Sequence, residues 1–144
     1  MKTQGHTLSK MIAGILVALT VSVAHAQIGG DVIKAKVPFD FSVGTRTFAA
    51  GEYSLNSLLP RAMLLRKQGG QVVAAIVTDS VQSSEVQKST KLVFNAYNGH
   101  YFLAQIWNEG RNTGRELPKS PVEIEMAAKH SPGPQVTLLV ADRR

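Results

Sequence analysis

Apolar and polar positions alternate along residues 32–43. Ile33, Ala35, Val37, Phe39, Phe41 and Val43 are apolar, while Lys34, Lys36, Asp40 and Ser42 are polar. A period of two belongs to a strand with one buried face. Pro38 has no N–H for a ladder, so this strand is expected at a sheet edge or with a bulge. Residues 44–47 and 50–52 read as turns, and Tyr53 to Asn56 as a short alternating strand. Pro60 breaks the chain again. Residues 62–67 and 72–78 are apolar, partly β-branched runs joined by Gln68-Gly69-Gly70-Gln71, which predicts a hairpin. Residues 80–90 are polar and are expected to form a solvated loop.

Residues 91–97 and 100–107 flank Asn98-Gly99. That dipeptide accepts the positive φ angles of a type I′ turn, whose twist matches paired strands. A two-residue turn places Phe94 opposite Leu103, Leu92 opposite Gln105 and Ala96 opposite Tyr101. Residues 108–119 are polar, contain glycine and show no period. Ser120-Pro121-Val122-Glu123 then reads as a helix start, with Ser120 as cap, Pro121 at the first helical position and Glu123 completing a capping box. The helix should end near Lys129, because Ser131-Pro132-Gly133-Pro134 stops it. Residues 135–141 form a last strand. About seven short strands with one short helix predict an all-β, mainly antiparallel sandwich or small barrel. The strands are too few and too short for an outer-membrane barrel.

The N-terminus departs from this pattern. Residues 1–10 carry Lys2 and Lys10 and no acid, residues 11–24 are apolar, and Ala24-His25-Ala26 places small residues where a signal peptidase reads. This is the layout of a secretory signal peptide over residues 1–26, cut before Gln27. The run is shorter than the roughly 20 residues of a spanning helix. A single β-rich domain, residues 27–144, is expected in the periplasm or outside the cell, with no transmembrane span.

Composition narrows the chemistry. The 144 residues include no cysteine, which excludes disulfides, thiolate metal sites and cysteine nucleophiles. The net charge of +6 is spread along the chain, with no dense basic stripe or recognisable nucleic-acid module. His100 and His130 are far apart in sequence and no HExxH spacing occurs, so neither a metal site nor another cofactor is expected. No Gly-x-Ser-x-Gly elbow is present. The stretch with most chemistry is 108–116. Arg111 and Arg115 suit bidentate capture of a carboxylate, sulfate or phosphate. Glu109 and Glu116 offer carboxylates, and Asn112 an amide. The plainer reading is that Glu109 or Glu116 pairs with a nearby arginine to order the loop. Trp107, just before it, is either core or an exposed platform for a sugar ring.

Val37-Pro38-Phe39-Asp40-Phe41-Ser42-Val43-Gly44, Ala50-Gly51-Glu52-Tyr53, Lys91-Leu92-Val93-Phe94, Tyr101-Phe102-Leu103, Trp107 and Gly114-Arg115-Glu116-Leu117 occur in that order. Together they resemble a group of small exported β-rich proteins of soil bacteria with no established activity. Members often carry Leu-Pro before the Ala-Gly-Glu-Tyr step, where this chain has Phe48-Ala49. The step itself is similar to one in secreted transthyretin-like and carboxypeptidase-regulatory β-sandwiches, which implies the fold class only.

Three functional readings are compatible with this sequence. The first is a non-enzymatic binding or envelope-associated domain whose partner is an envelope polymer, an anionic glycan or another exported protein. It predicts an exposed patch around Trp107 and Arg111. The second is a small secreted hydrolase using acids of the 108–116 loop, which predicts two convergent carboxyl groups. The third is a lipocalin-like carrier, which predicts an apolar cavity of several hundred Å3 inside the barrel.

Overall fold

The computed structural model describes residues 31–130 and 133–143; the expected signal peptide lies outside them. Among the described residues the elements are β1 (Val32–Val37), β2 (Phe41–Val43), β3 (Arg46–Phe48), β4 (Gly51–Leu59), β5 (Ala62–Lys67), β6 (Val72–Val77), β7 (Asp79–Gln82), β8 (Lys91–Tyr97), β9 (His100–Trp107), β10 (Thr113–Glu116), α1 (Pro121–Lys129), β11 (Gln135–Val140) and β12 (Asp142–Arg143). They build two sheets. One runs β12-β1-β4-β5-β6. The other runs β11-β8-β9-β10-β7, with β2 on the free part of β9 and β3 beyond it. Every pairing is antiparallel except that of β2 with β9. Among the described residues the fold is all-β with one helix, as expected, with twelve strands where about seven were expected, and of the two expected arrangements it is the sandwich and not a closed barrel.

The expected single strand over residues 32–43 is two strands in different sheets. β1 ends at Pro38, which has no donor to continue the ladder, and the chain crosses to the other sheet before β2. The return is fixed at the Ala-Gly-Glu-Tyr step. Asp40 Oδ1 accepts from the Ala50 N–H at 2.9 Å, and the Tyr53 hydroxyl donates to the Ala49 carbonyl at 2.6 Å. Burial, and then the Asp40 charge, push the Tyr53 hydroxyl above its ordinary range. Two more crossings lie at Thr78, between β6 and β7, and at Ala141, between β11 and β12. The Thr78 N–H donates to the Arg61 carbonyl and the Ala141 N–H to the Thr90 carbonyl, both at 2.9 Å.

The space between the sheets is filled by Ile33, Val37, Leu55 and Leu65 from one side and Phe41, Leu92, Phe94 and Ile106 from the other. Phe39 stacks on Tyr101 with centroids 3.8 Å apart, and Phe41 meets Tyr53 edge-on at 5.1 Å. Such edge and stacked pairs add about 1 kcal/mol each beyond the area they bury.

The β8–β9 hairpin forms at Asn98-Gly99, where both φ angles are positive, 52° and 81°. Phe94 faces Leu103 and Ala96 faces Tyr101 as expected. Leu92, however, faces Ile106 and not Gln105, because Ala104 is an unmatched bulge residue. The bulge leaves the Ala104 carbonyl to accept from the Leu117 N–H at 2.8 Å. It also sets Ile106 into the core.

Helix α1 starts as expected, with the Glu123 N–H on Ser120 Oγ at 3.2 Å. The second half of the capping box is replaced. The Glu123 carboxylate, in a residue only 4% exposed, accepts from Asn95 Nδ2 at 3.0 Å and from the Tyr97 hydroxyl at 3.3 Å. Asn95 and Tyr97 lie one and three residues beyond the core residue Phe94 in β8 and so point to the opposite face, which sets the helix on the outer face of its sheet. The His130 ring packs edge-on to Tyr97 with centroids 6.1 Å apart.

Candidate functional site

Residues 80–90, expected as a solvated loop, begin as part of β7 and then dock on the 108–112 segment. The Ser83 N–H donates to the Asn112 carbonyl at 2.7 Å, the Gln87 N–H to the Arg111 carbonyl at 2.9 Å, and the Gly110 N–H to the Gln87 carbonyl at 2.9 Å. The Arg111 N–H closes a turn onto the Asn108 carbonyl at 3.3 Å, with Gly110 at φ 77°. Beyond it the unpatterned polar segment becomes β10, clamped between β7 and β9. Two polar segments without period thus stiffen each other through main-chain bonds, which side-chain patterning does not reveal.

This scaffold places the two arginines at one end of the sandwich. The Arg115 guanidinium donates to the Pro60 carbonyl, to Ser57 Oγ at 3.1 Å and to Thr78 Oγ1 at 3.4 Å. It therefore ties β10 to the β4–β5 turn of the opposite sheet. The Arg111 side chain, 63% exposed, meets Asp31 at 3.9 Å. Both line a cleft of about 400 Å3 between the sheets, together with Asp31, Ser57, Asn108 and Thr113, above a floor of Ile33, Met63 and Ile106. Two guanidinium groups face one carboxylate there, so the wall carries a net positive charge. Asn108 Oδ1 is buried and has no hydrogen-bond partner.

The other residues singled out in the sequence lie off this cleft. Glu109 is exposed, and its N–H donates to Thr90 Oγ1 at 3.1 Å. Glu116 accepts from Gln105 Nε2 at 3.3 Å. The arginines find their partners in other parts of the chain, so the expected local pairing with Glu109 or Glu116 is replaced by longer-range contacts. Asn112 is exposed, with its side chain 3.5 Å from the Thr113 hydroxyl. Trp107 is 6% exposed and is no open platform. Its Nε1–H donates to Gln105 Oε1 at 3.0 Å. Its ring lies against Gly114, where a Cβ would sit 2.6 Å from Cε3. The glycine is needed there for want of a side chain, not for its φ. Asn108 adjoins the residues singled out in the sequence but carries no mark that sets it apart from Asn112. Asp31 and Ser57 carry no local signal either.

A larger cleft, about 670 Å3, is lined by Lys34, Lys36 and Lys67 with Glu52 and Asp142. The strand registers set Lys36 opposite Glu52 and Lys34 opposite Asp142. Its described wall carries the same net charge as the smaller cleft, three lysines against two acids, but two of those lysines stand opposite an acid in the strand register. Among the described residues no group of three His, Asp or Glu comes together as a metal site, and no helix is long and apolar enough to cross a membrane. Comparison with known proteins finds no match to this chain among family models, curated proteins or solved structures.

Proposed function

We propose that this is an exported, non-enzymatic binding domain that holds a small anionic ligand, such as one acidic unit of an envelope glycan, between its sheets. The observation that carries the reading is the cleft of about 400 Å3 lined by Arg111 and Arg115. Charge-assisted bonds from a guanidinium to a carboxylate are among the stronger recognition contacts. Arg115 is occupied by three protein acceptors and shapes the wall, so Arg111 is the group available to the ligand. The export step rests on the tripartite N-terminal sequence. The hydrolase reading gains no support from the cleft, where Asp31 is the one lining carboxylate among the described residues. The carrier reading gains none from the aromatic-filled interior.

Calorimetric titration with glucuronic acid and glucose tests the proposal. Glucuronic acid should bind and glucose should not. Arg111→Gln should weaken the acid about tenfold or more, the loss of one charged hydrogen bond. Equal binding of acid and neutral sugar, or no effect of the substitution, would refute it.

A further inference from the structure

The five-stranded sheet ends in β6, and no described strand pairs with its outer edge. Proteins commonly guard such an edge with charge or proline, because its unpaired main-chain groups accept another strand. The sequence of β6, Val72-Val73-Ala74-Ala75-Ile76-Val77, has neither. Its one guarded position is Val73, an unmatched bulge residue whose carbonyl accepts from the Arg46 guanidinium.

The register fixes what the rest of the edge offers. The Thr78 N–H donates to the Arg61 carbonyl at 2.9 Å, which continues the pairing of Ala62 with Val77 and Met63 with Ile76. In an antiparallel ladder alternate residues bond to the same neighbour. Thr78, Ile76 and Ala74 therefore bond towards β5, while Ala75 and Val77 turn their N–H and C=O groups outward. The side chains of these two lie on the outer face of the sheet, opposite to the buried Ile76, and Val77 is 62% exposed. Beside them on that face stand Ala62 and Leu64.

We infer that β6 is a dimerisation edge, taken by β6 of a second copy about a two-fold axis that sets Ile76 opposite its own counterpart. A two-fold contact must be complementary to itself, and this register is. Ala75 of each copy faces Val77 of the other, and each such pair exchanges both of its main-chain bonds. On the outer face, Leu64 and Ala75 of one copy continue into Val77 and Ala62 of the other as one apolar row. The same register sets Asp79 of one copy opposite Val73 of the other, the residue that holds Arg46. Asp79 also meets Arg61 of its own chain, and a carboxylate accepts from both. The contact is thus complementary in charge at each of its ends.

Sedimentation and amide hydrogen exchange over a range of protein concentrations test this on the unaltered protein. A monomer–dimer equilibrium is expected. The Ala75 and Val77 amides should exchange fast in the monomer and slowly in the dimer, with Ile76 protected in both. Val77→Lys, at an exposed position, should weaken the dimer about tenfold or more. Arg46→Glu and Asp79→Lys should each weaken it, and an equimolar mixture of the two should restore it, because the mixed pair brings each new charge against its opposite. A single monomer mass at every concentration would overturn the inference. So would dimers that leave the Ala75 and Val77 amides unprotected, or that survive Val77→Lys, since those use another surface. Failure of the mixture to restore the dimer would overturn it as well.

Discussion

Two polar clusters flank the second sheet, and they are finished differently. Under α1, the Glu123 carboxylate is buried against two neutral donors, Asn95 and Tyr97, and its own N–H is capped by Ser120. At the open end of the sandwich, Arg115 is likewise committed to protein acceptors, but Arg111 has one loose partner at 3.9 Å. Each region also holds a buried atom without a partner, His130 Nδ1 in the first and Asn108 Oδ1 in the second. What separates them is space. The Asn108 residue lines a cleft and His130 lines neither of the two clefts described. Both unmatched atoms are buried and cost stability, and what the cleft leaves open to a ligand is the exposed Arg111 guanidinium.

The contrast predicts that the helix cluster governs stability and the cleft governs binding. Glu123→Ala has the largest expected effect. It strands the Tyr97 hydroxyl and the Asn95 amide, at a cost of about 3 kcal/mol. Urea unfolding should show the loss, while ligand affinity of the folded fraction stays at the level of the unaltered protein. A matching loss of affinity would merge the two regions into one.

Tyr97→Phe comes next, at about 1–2 kcal/mol. It also has a pH signature. Burial first, then the Glu123 charge and their hydrogen bond, hold the Tyr97 hydroxyl above its ordinary value of 10.0. The unfolded chain therefore loses that proton first. The stabilisation is complete below pH 10 and drains away as the pH rises towards the folded value. Melting temperatures measured from pH 8 to 11 should fall more steeply for the unaltered protein than for the variant. Parallel curves would show that the hydroxyl does not carry the effect.

Arg111→Gln should be the smallest in stability, within about 0.5 kcal/mol, because its ion pair is exposed and long. The same variant that loses the acid ligand should thus unfold at the unaltered urea midpoint. A loss of stability as large as that of Tyr97→Phe would make Arg111 a structural residue and dissolve the contrast.

The parts of this fold that are legible in the sequence are those decided locally. Asn98-Gly99 sets its own turn, and Ser120-Pro121 starts its own helix, because the chemistry of two or three neighbours suffices. β7 and β10 leave no such mark, because Asp79, Ser80, Gln82, Thr113, Arg115 and Glu116 are polar. They become strands by pairing with each other and with β9. The break at Pro38 is visible as a proline but not as a change of sheet. At the site, Arg111 and Arg115 are legible as charge in a long polar loop. Their partners Asp31, Ser57 and Pro60 are not, because only the folded topology brings those residues to the loop. The bulge at Ala104 is equally silent, since a bulge has no signature in composition.

The pairing of β1 with both β4 and β12 has a consequence for how the molecule is made. The first described strand is flanked on one side by residues far away in sequence, at Ile33–Arg143 and Lys34–Asp142. That side of the sheet therefore stays open until residues 142 and 143 have been made. Contacts so distant along the chain raise contact order and slow folding. The delay fits the proposed export, since a translocation channel takes a chain that has not yet closed on itself.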